Sequence, residues 1–176
     1  MHEQLRESGD GVHWANELSG RVFTRYDHGA SRITHLNLKG PLMGIALPDG
    51  VKALIDDKTF PTLVTVNPDG APQASLMWVT RDGDDLLFST KRGRQKDKNL
   101  AHDPRVSVLM PFANPLQGYA EVRGQVIDIT EEGGRELIDD LYHKYVGDGE
   151  FLWDGPDSVR LVVRVRPEKV VWIQQF

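Results

Sequence analysis

The sequence predicts an α+β fold, a barrel of about six to seven mainly antiparallel strands with a few peripheral helices. Three observations lead there. Short runs rich in Val, Leu, Thr and aromatic residues are separated by strong reverse-turn chemistry, Asn67-Pro68-Asp69-Gly70 and Asp82-Gly83. Helical periodicity is confined to a few local segments, and no internal repeat is visible. Hydrophobic residues make up 39% and charged residues 27% of the 176 positions, the balance of a globular chain able to bury a core.

Along the chain, residues 1–40 hold no sustained period of 2 or 3.6, although Trp14, Phe23 and Tyr26 are scattered through them. They read as an N-terminal arm that packs on the body or on a second subunit, or as a short extra helix. Residues 41–176 read as one barrel domain. In "PDGVKALIDDK", Asp49 is the expected N-cap of a short helix with Val51, Leu54 and Ile55 on one face. "TLVTVNPDGAPQASLMWVTRDGDDLLFST" reads as an antiparallel meander of three runs. A helix is expected from about Arg94 to His102, ended by Asp103-Pro104. "RVSVLMPF" and "GYAEVRGQVIDIT" are further strands around an irregular "ANPLQ". Thr130 is the expected cap of the clearest helix, with Leu137, Ile138, Leu141, Tyr142 and Tyr145 on one face and Gly147 at its end. "SVRLVVRVRPEKVVWIQQF" reads as two strands broken at Pro167.

Several function classes are excluded by the same reading. No apolar run approaches the roughly 18 residues that span a bilayer, and "MHEQLRESGDG" carries no apolar signal, so the expected location is cytoplasmic. Without cysteine there are no disulfides, thiol nucleophiles or thiolate metal sites. A net charge of −5 and a pI near 5.7 argue against a general nucleic-acid binder. The six histidines are too dispersed for a metal site, and no serine stands in a nucleophile-elbow sequence.

Against this acidic background, Lys91, Arg92, Arg94, Lys96 and Lys98 fill five of the eight positions from 91 to 98. Such a run is either a solvated helix face or the rim of an anion site. Cations at a helix N-terminus oppose the macrodipole unless an anion sits among them. A glycine-bearing strand-to-helix turn with free N–H groups is a phosphate cradle. Thr90, Gly93, Arg94 and Lys96 offer hydroxyl, amide, guanidinium and ammonium donors to one.

From about Thr62 to Phe176 the chain resembles the pyridoxamine 5′-phosphate oxidase-like split β-barrel family. The resemblance rests on "NPDGAPQ", "SLMWV", "FSTKRGRQKDKNLAHDPRVSV" and "RPEKVVWIQQF". Gly93, Lys96, Leu100, Asp103, Pro104 and Arg105-Val106-Ser107 follow the order of the family's phosphate-binding turn. It implies an FMN-binding-like split barrel, a homodimer with a flavin-type cofactor at the subunit interface. The vitamin-oxidising members carry Arg and Lys where Ser75 and Thr80 stand here, and they continue past their final Trp into a substrate-gripping segment. This chain ends four residues after Trp172. Vitamin B6 oxidation is therefore not the expected activity.

"STKRGRQKDKNLAHDPRVSV" is similar to the deazaflavin branch, whose cofactor F420 carries a phosphate and a chain of glutamates. The surplus cations would serve that tail, although FMN would also be attracted. The resemblance also places Ser75, Met77, Trp78, Val79, Thr90, Lys91, Arg92, Gly93, Arg94, Lys96, Asn99, Tyr119 and Trp172 at the cofactor. Met77, Trp78 and Val79 would line the ring from the second strand and offer backbone N–H groups to its carbonyl edge. Met77 and Val79 read equally as core residues, and Trp172 as a packing residue. Gln117 is the alternative to Tyr119. The implied activity is hydride transfer from reduced F420 to a small conjugated acceptor, with no evident obligatory acid; Tyr119 and His28 are candidate proton donors. The alternatives are an FMN-dependent oxidoreductase and a non-catalytic flavin- or haem-binding protein.

Overall fold

The computed structural model describes residues 14–16, 21–23 and 44–174. The chain divides into two units, Met1–Leu42 and Met43–Phe176. In the first, β1 (Trp14–Asn16) and β2 (Arg21–Phe23) pair antiparallel, with Trp14 opposite Phe23. The rest of the expected arm, with His28, lies outside the described residues.

The second unit contains α1 (Asp49–Asp56), β3 (Thr62–Val66), β4 (Pro72–Leu76), β5 (Thr80–Asp82) and β6 (Asp85–Lys91). These are followed by α2 (Gln95–His102), β7 (Arg105–Pro111), a 3₁₀ turn at Pro115–Gln117, β8 (Gly118–Thr130), α3 (Gly134–Tyr145) and β9 (Arg160–Gln174). The seven strands form one antiparallel sheet in the order β4-β3-β7-β8-β9-β6-β5. The sheet is not closed, since β4 and β5 remain its two edges. Phe88, Leu63, Leu86, Met110, Val122 and Leu161 fill the interior, with Ile55 of α1 and Leu100 of α2 packed among them. Burying each such side chain contributes about 1.5–3 kcal/mol.

Both turn sequences make the expected hairpins, β3–β4 and β5–β6. The meander between them does not form. β4 and β5 stand at opposite edges of the sheet, and Met77–Val79 is a crossover rather than part of a strand. The reason is a tertiary contact: the N–H and C=O of Val79 are bonded by side chains of α3, so this residue cannot join a ladder.

Three further expectations need correction. Asp49 is the first helical residue of α1, and Pro48 stands at the cap without a side-chain bond. Thr130 ends β8, its hydroxyl accepting the Glu132 N–H at 3.1 Å, and Gly133 caps α3. Gly147 does follow the helix, its N–H donating to Tyr142 O. Pro167 does not break the last strand. β9 runs through it, and a register shift beside Gly124 absorbs the missing donor.

The sheet's outer face carries a row in which Leu76, Thr62, Leu109, Glu121 and Val171 stand opposite one another in turn. Leu76 is 74% exposed, Leu109 41% and nearby Ile173 36%. Among the described residues no helix is long and apolar enough to cross a membrane. After α3, the chain is tied back to β9 by Asp154, whose carboxylate takes two bonds of 2.7 Å from Arg160. The side chains are 9% and 8% exposed, and Lys91 adds a third contact at 3.3 Å.

Two outcomes follow from these contacts. A Cβ on Gly124 would stand 2.1 Å from the Arg166 carbonyl oxygen. Gly124→Ala should therefore cost at least about 1–3 kcal/mol, read as a lowered denaturant midpoint; an unchanged midpoint would contradict the register at the bulge. The Arg160 guanidinium, with Lys91 beside it, holds the Asp154 carboxyl below its ordinary value. That stabilisation is complete above the ordinary carboxylate pKa of about 4 and is lost as pH falls through the lowered value. Asp154→Asn should lower the melting temperature most near neutral pH, with the difference from wild type closing below about pH 4. A gap that widens in acid would refute the ion pair.

Candidate functional site

The basic run lies where β6 hands over to α2. Ser89 and Thr90, the last buried residues of β6, have hydroxyl oxygens without hydrogen-bond partners among the described residues. Gly93 then takes a φ of +80°, open to glycine at little cost, and turns the chain into the helix. The sequence leaves this turn's amides free; the structure engages them. Arg92 N–H donates to Val159 O (3.0 Å), Gly93 N–H to Asp97 Oδ2 (2.6 Å) and Arg94 N–H to Lys91 O (3.3 Å).

The free donors lie one step further on. Arg94 caps α2 without a side-chain bond, and the N–H groups of Gln95, Lys96 and Asp97 have no protein acceptor among the described residues. Lys96 sits in the same helical turn, only 9% exposed, with no acid within ion-pair distance among those residues. Burial, and then the charge of Arg94, push its amine below the ordinary lysine value. A buried cation, an uncapped helix start and orphaned hydroxyls on the preceding strand are each unfavourable alone. One anion at the helix start would relieve the first two and at most one hydroxyl, since Ser89 and Thr90 are adjacent strand residues with side chains on opposite faces. Asp97, whose Oδ1 is also unpartnered, limits how much negative charge the turn accepts.

The cluster is not uniform. Lys91 faces Asp154 and Arg92 faces Glu131, whereas Arg94 and Lys98 are exposed and unpaired among the described residues. Lys91, Arg92, Gly93 and Arg94 form one side of an open cleft of about 410 Å³. Asp157, Ser158 and Val159 form the other, a wall that no local sequence motif announces.

Asn99 has a structural task. It is fully buried, donating to Thr65 Oγ1 (2.9 Å) and Asn67 Oδ1 (2.8 Å) and accepting from Gln95 Nε2 (2.8 Å), so it pins α2 to β3. Ser75, on edge strand β4, accepts from Gln73 Nε2 at 2.7 Å.

The crossover forms a second focus. Val79 is core and Met77 packs against the core. The expected row of free N–H groups is reduced, since Met77 donates to Pro61 O (2.9 Å) and Val79 to Tyr145 Oη (3.2 Å). Only Trp78 keeps an N–H without a protein acceptor among the described residues. Its ring stacks on Tyr145, with centroids 5.3 Å apart and planes 7° off parallel, and contacts Tyr142, Phe151 and Trp153. Periodicity put the two tyrosines on an apolar helix face, but their partner was not legible.

Tyr119 and Trp172 stand apart from both foci. Trp172 packs edge-on against Phe112 (5.3 Å, 87°) and over Gly50 at the start of α1. Tyr119 pairs with Ile173. Both lie at the far end of the β8–β9 ladder from Leu161, the partner of Thr90. Gln117 is in the exposed 3₁₀ turn. Among the described residues no group of His, Asp or Glu side chains is placed to hold a metal ion.

Comparison with known proteins gives this geometry a family. The family model described as pyridoxamine 5′-phosphate oxidase matches residues 47–172. The pyridoxine/pyridoxamine 5′-phosphate oxidase of Vibrio vulnificus strain YJ016 is 31% identical over 85 residues, which is 48% of this chain. The match spans only 40% of that relative's own length. Among solved structures, an F420 reductase is 33% identical with a TM-score of 0.62, over 71% of this chain and 98% of that one. A putative pyridoxamine 5′-phosphate oxidase from Listeria innocua, at 21% identity and a TM-score of 0.57 over 72% and 98%, shares the fold. With its open seven-stranded sheet and its charged strand-to-helix turn, the chain belongs to the pyridoxamine 5′-phosphate oxidase family of flavin-binding split β-barrels.

Proposed function

We propose that this protein is a deazaflavin-dependent reductase that binds F420 and reduces a small conjugated organic acceptor. The observation that carries the reading is Lys96, buried without an acid among the described residues at the uncapped start of α2. The 33% likeness to an F420 reductase, over nearly all of that chain, supports it. The second reading, FMN in the same cradle, is favoured by the curated oxidase relative.

The orphaned donors fit a cofactor phosphate. Lys96, Arg94 and the first-turn amides of α2 would hold it, with Thr90 beneath. Lys91, Arg92 and Lys98 lie on the route a glutamate tail would take, where Glu131 and Asp154 are its competitors. The Trp78 peptide would meet the polar edge of the ring, and the aromatic group around it suits a flat acceptor. When bound, the cofactor supplies hydride transfer to the acceptor, and the protein supplies position, exclusion of water and electrostatics. Within one copy Tyr119 stands apart from both foci, so the proton would come from solvent or from Tyr119 of a second copy.

The exposed apolar side chains of the outer sheet face support a homodimer, with Leu76, Leu109 and Ile173 covered by a second copy. Tyr119 and Trp172 of that copy would then approach the cofactor. We propose a cytoplasmic location, as the sequence leads one to expect.

Lys96→Ala should weaken F420 binding by about 1–3 kcal/mol, up to roughly a hundredfold in Kd, measured by fluorescence titration. Because the lysine grips an anion only when protonated, wild-type affinity should fall as pH rises through its lowered pKa. Lys96→Arg, charged throughout, should flatten that fall. Wild-type affinity in the alanine variant would remove the cradle. Arg92→Ala should cost more affinity for a long glutamate tail than for a short one, and equal losses would remove the tail from the account.

A further inference from the structure

Two neighbouring residues at the end of α3 hold the crossover. Lys144 Nζ donates to Val79 O at 2.9 Å and to Ile55 O near the end of α1. Tyr145 Oη donates to Thr59 O at 2.6 Å and accepts the Val79 N–H. With Met77 bonded to Pro61, the backbone is fixed on both sides of Trp78, while the Trp78 N–H and C=O have no protein partner among the described residues. Lys144 is half-buried, and its ammonium lies 5.2 Å from the Tyr145 ring centroid. No acid is within ion-pair distance of it among the described residues; Asp56 and Asp57 act only from further away. Keeping a partly buried cation for carbonyls alone is unfavourable unless the geometry it imposes is used.

We propose that Lys144 is a positioning residue for the cofactor ring. By clamping Val79 to α1 and α3, it presents the Trp78 peptide as a preformed polar edge and sets ring affinity without touching the cofactor. The inference rests on the reading that the ring lies against Met77–Val79. It separates the site into two parts, a phosphate cradle governed by Lys96 and a ring edge governed by Lys144.

The test uses two probes on the full chain, F420 and the deazaflavin riboside that lacks the phosphate and tail. Lys144→Met should weaken both probes by the same factor, about fivefold or more, and shift the absorbance of the bound riboside. Lys144→Arg, which keeps charged donors, should restore both readouts. Lys96→Ala should weaken F420 alone. Circular dichroism at a temperature well below the melting midpoints establishes that each variant is folded. If the methionine variant does not fold, Lys144→Gln, with a neutral donor for one carbonyl, takes its place in the same comparison. A folded variant that binds the riboside with wild-type affinity and spectrum overturns the role of Lys144 and leaves the cofactor reading intact. Wild-type protein that binds neither probe overturns both.

Discussion

The antiparallel pairing of β9 with β8 on one side and β6 on the other fixes where the basic turn and its cleft stand. Leu161 opposite Thr90 sets the end of β6, and with it the point at which the chain must turn into α2. Arg160, one residue earlier, draws Asp154 back and closes the far wall of the cleft. The other end of the same ladder carries Tyr119 and Trp172 away from the turn. The register shifts beside Gly124 and Val126 let one strand serve both neighbours without a break.

On that frame the electrostatics are uneven, and the unevenness carries the functional reading. At the rim Lys91 and Arg92 are matched by Asp154 and Glu131, whereas Arg94 and Lys98 are exposed and unpaired among the described residues. Lys96 differs from all of them in being both buried and unmatched among the described residues. The exposed Arg92–Glu131 pair contributes about 0–1 kcal/mol and can exchange partners at little cost. A buried ammonium cannot exchange in that way. A ligand anion therefore meets a firm point at Lys96 and an adaptable margin around it. That division suits a cofactor with one phosphate and a variable tail.

Much of this was legible in the sequence, for physical reasons that differ by element. Asn67–Gly70 and Asp82-Gly83 announced both hairpins because turn chemistry is local. Val51, Leu54 and Ile55 announced α1, and the run from Gly93 to Ser107 announced the site through its charge and its family resemblance. The crossover was not legible. "SLMWVT" reads as a strand, and what prevents one is a lysine and a tyrosine 65 and 66 residues away in sequence. Pro167 was misread for the opposite reason: a strong local breaker was overridden by a bulge that only the partner strand reveals. The pairing of Arg92 with Glu131 and Lys91 with Asp154 also depends on distant segments, so the basic run looked freer than it is.

The most direct test is a fluorescence titration of the purified, cofactor-free protein with F420 and, in parallel, with FMN. The account predicts micromolar or tighter binding of F420 and distinctly weaker binding of FMN. Preference for FMN would contradict the deazaflavin assignment while keeping the cradle, and binding of neither would contradict the cradle itself.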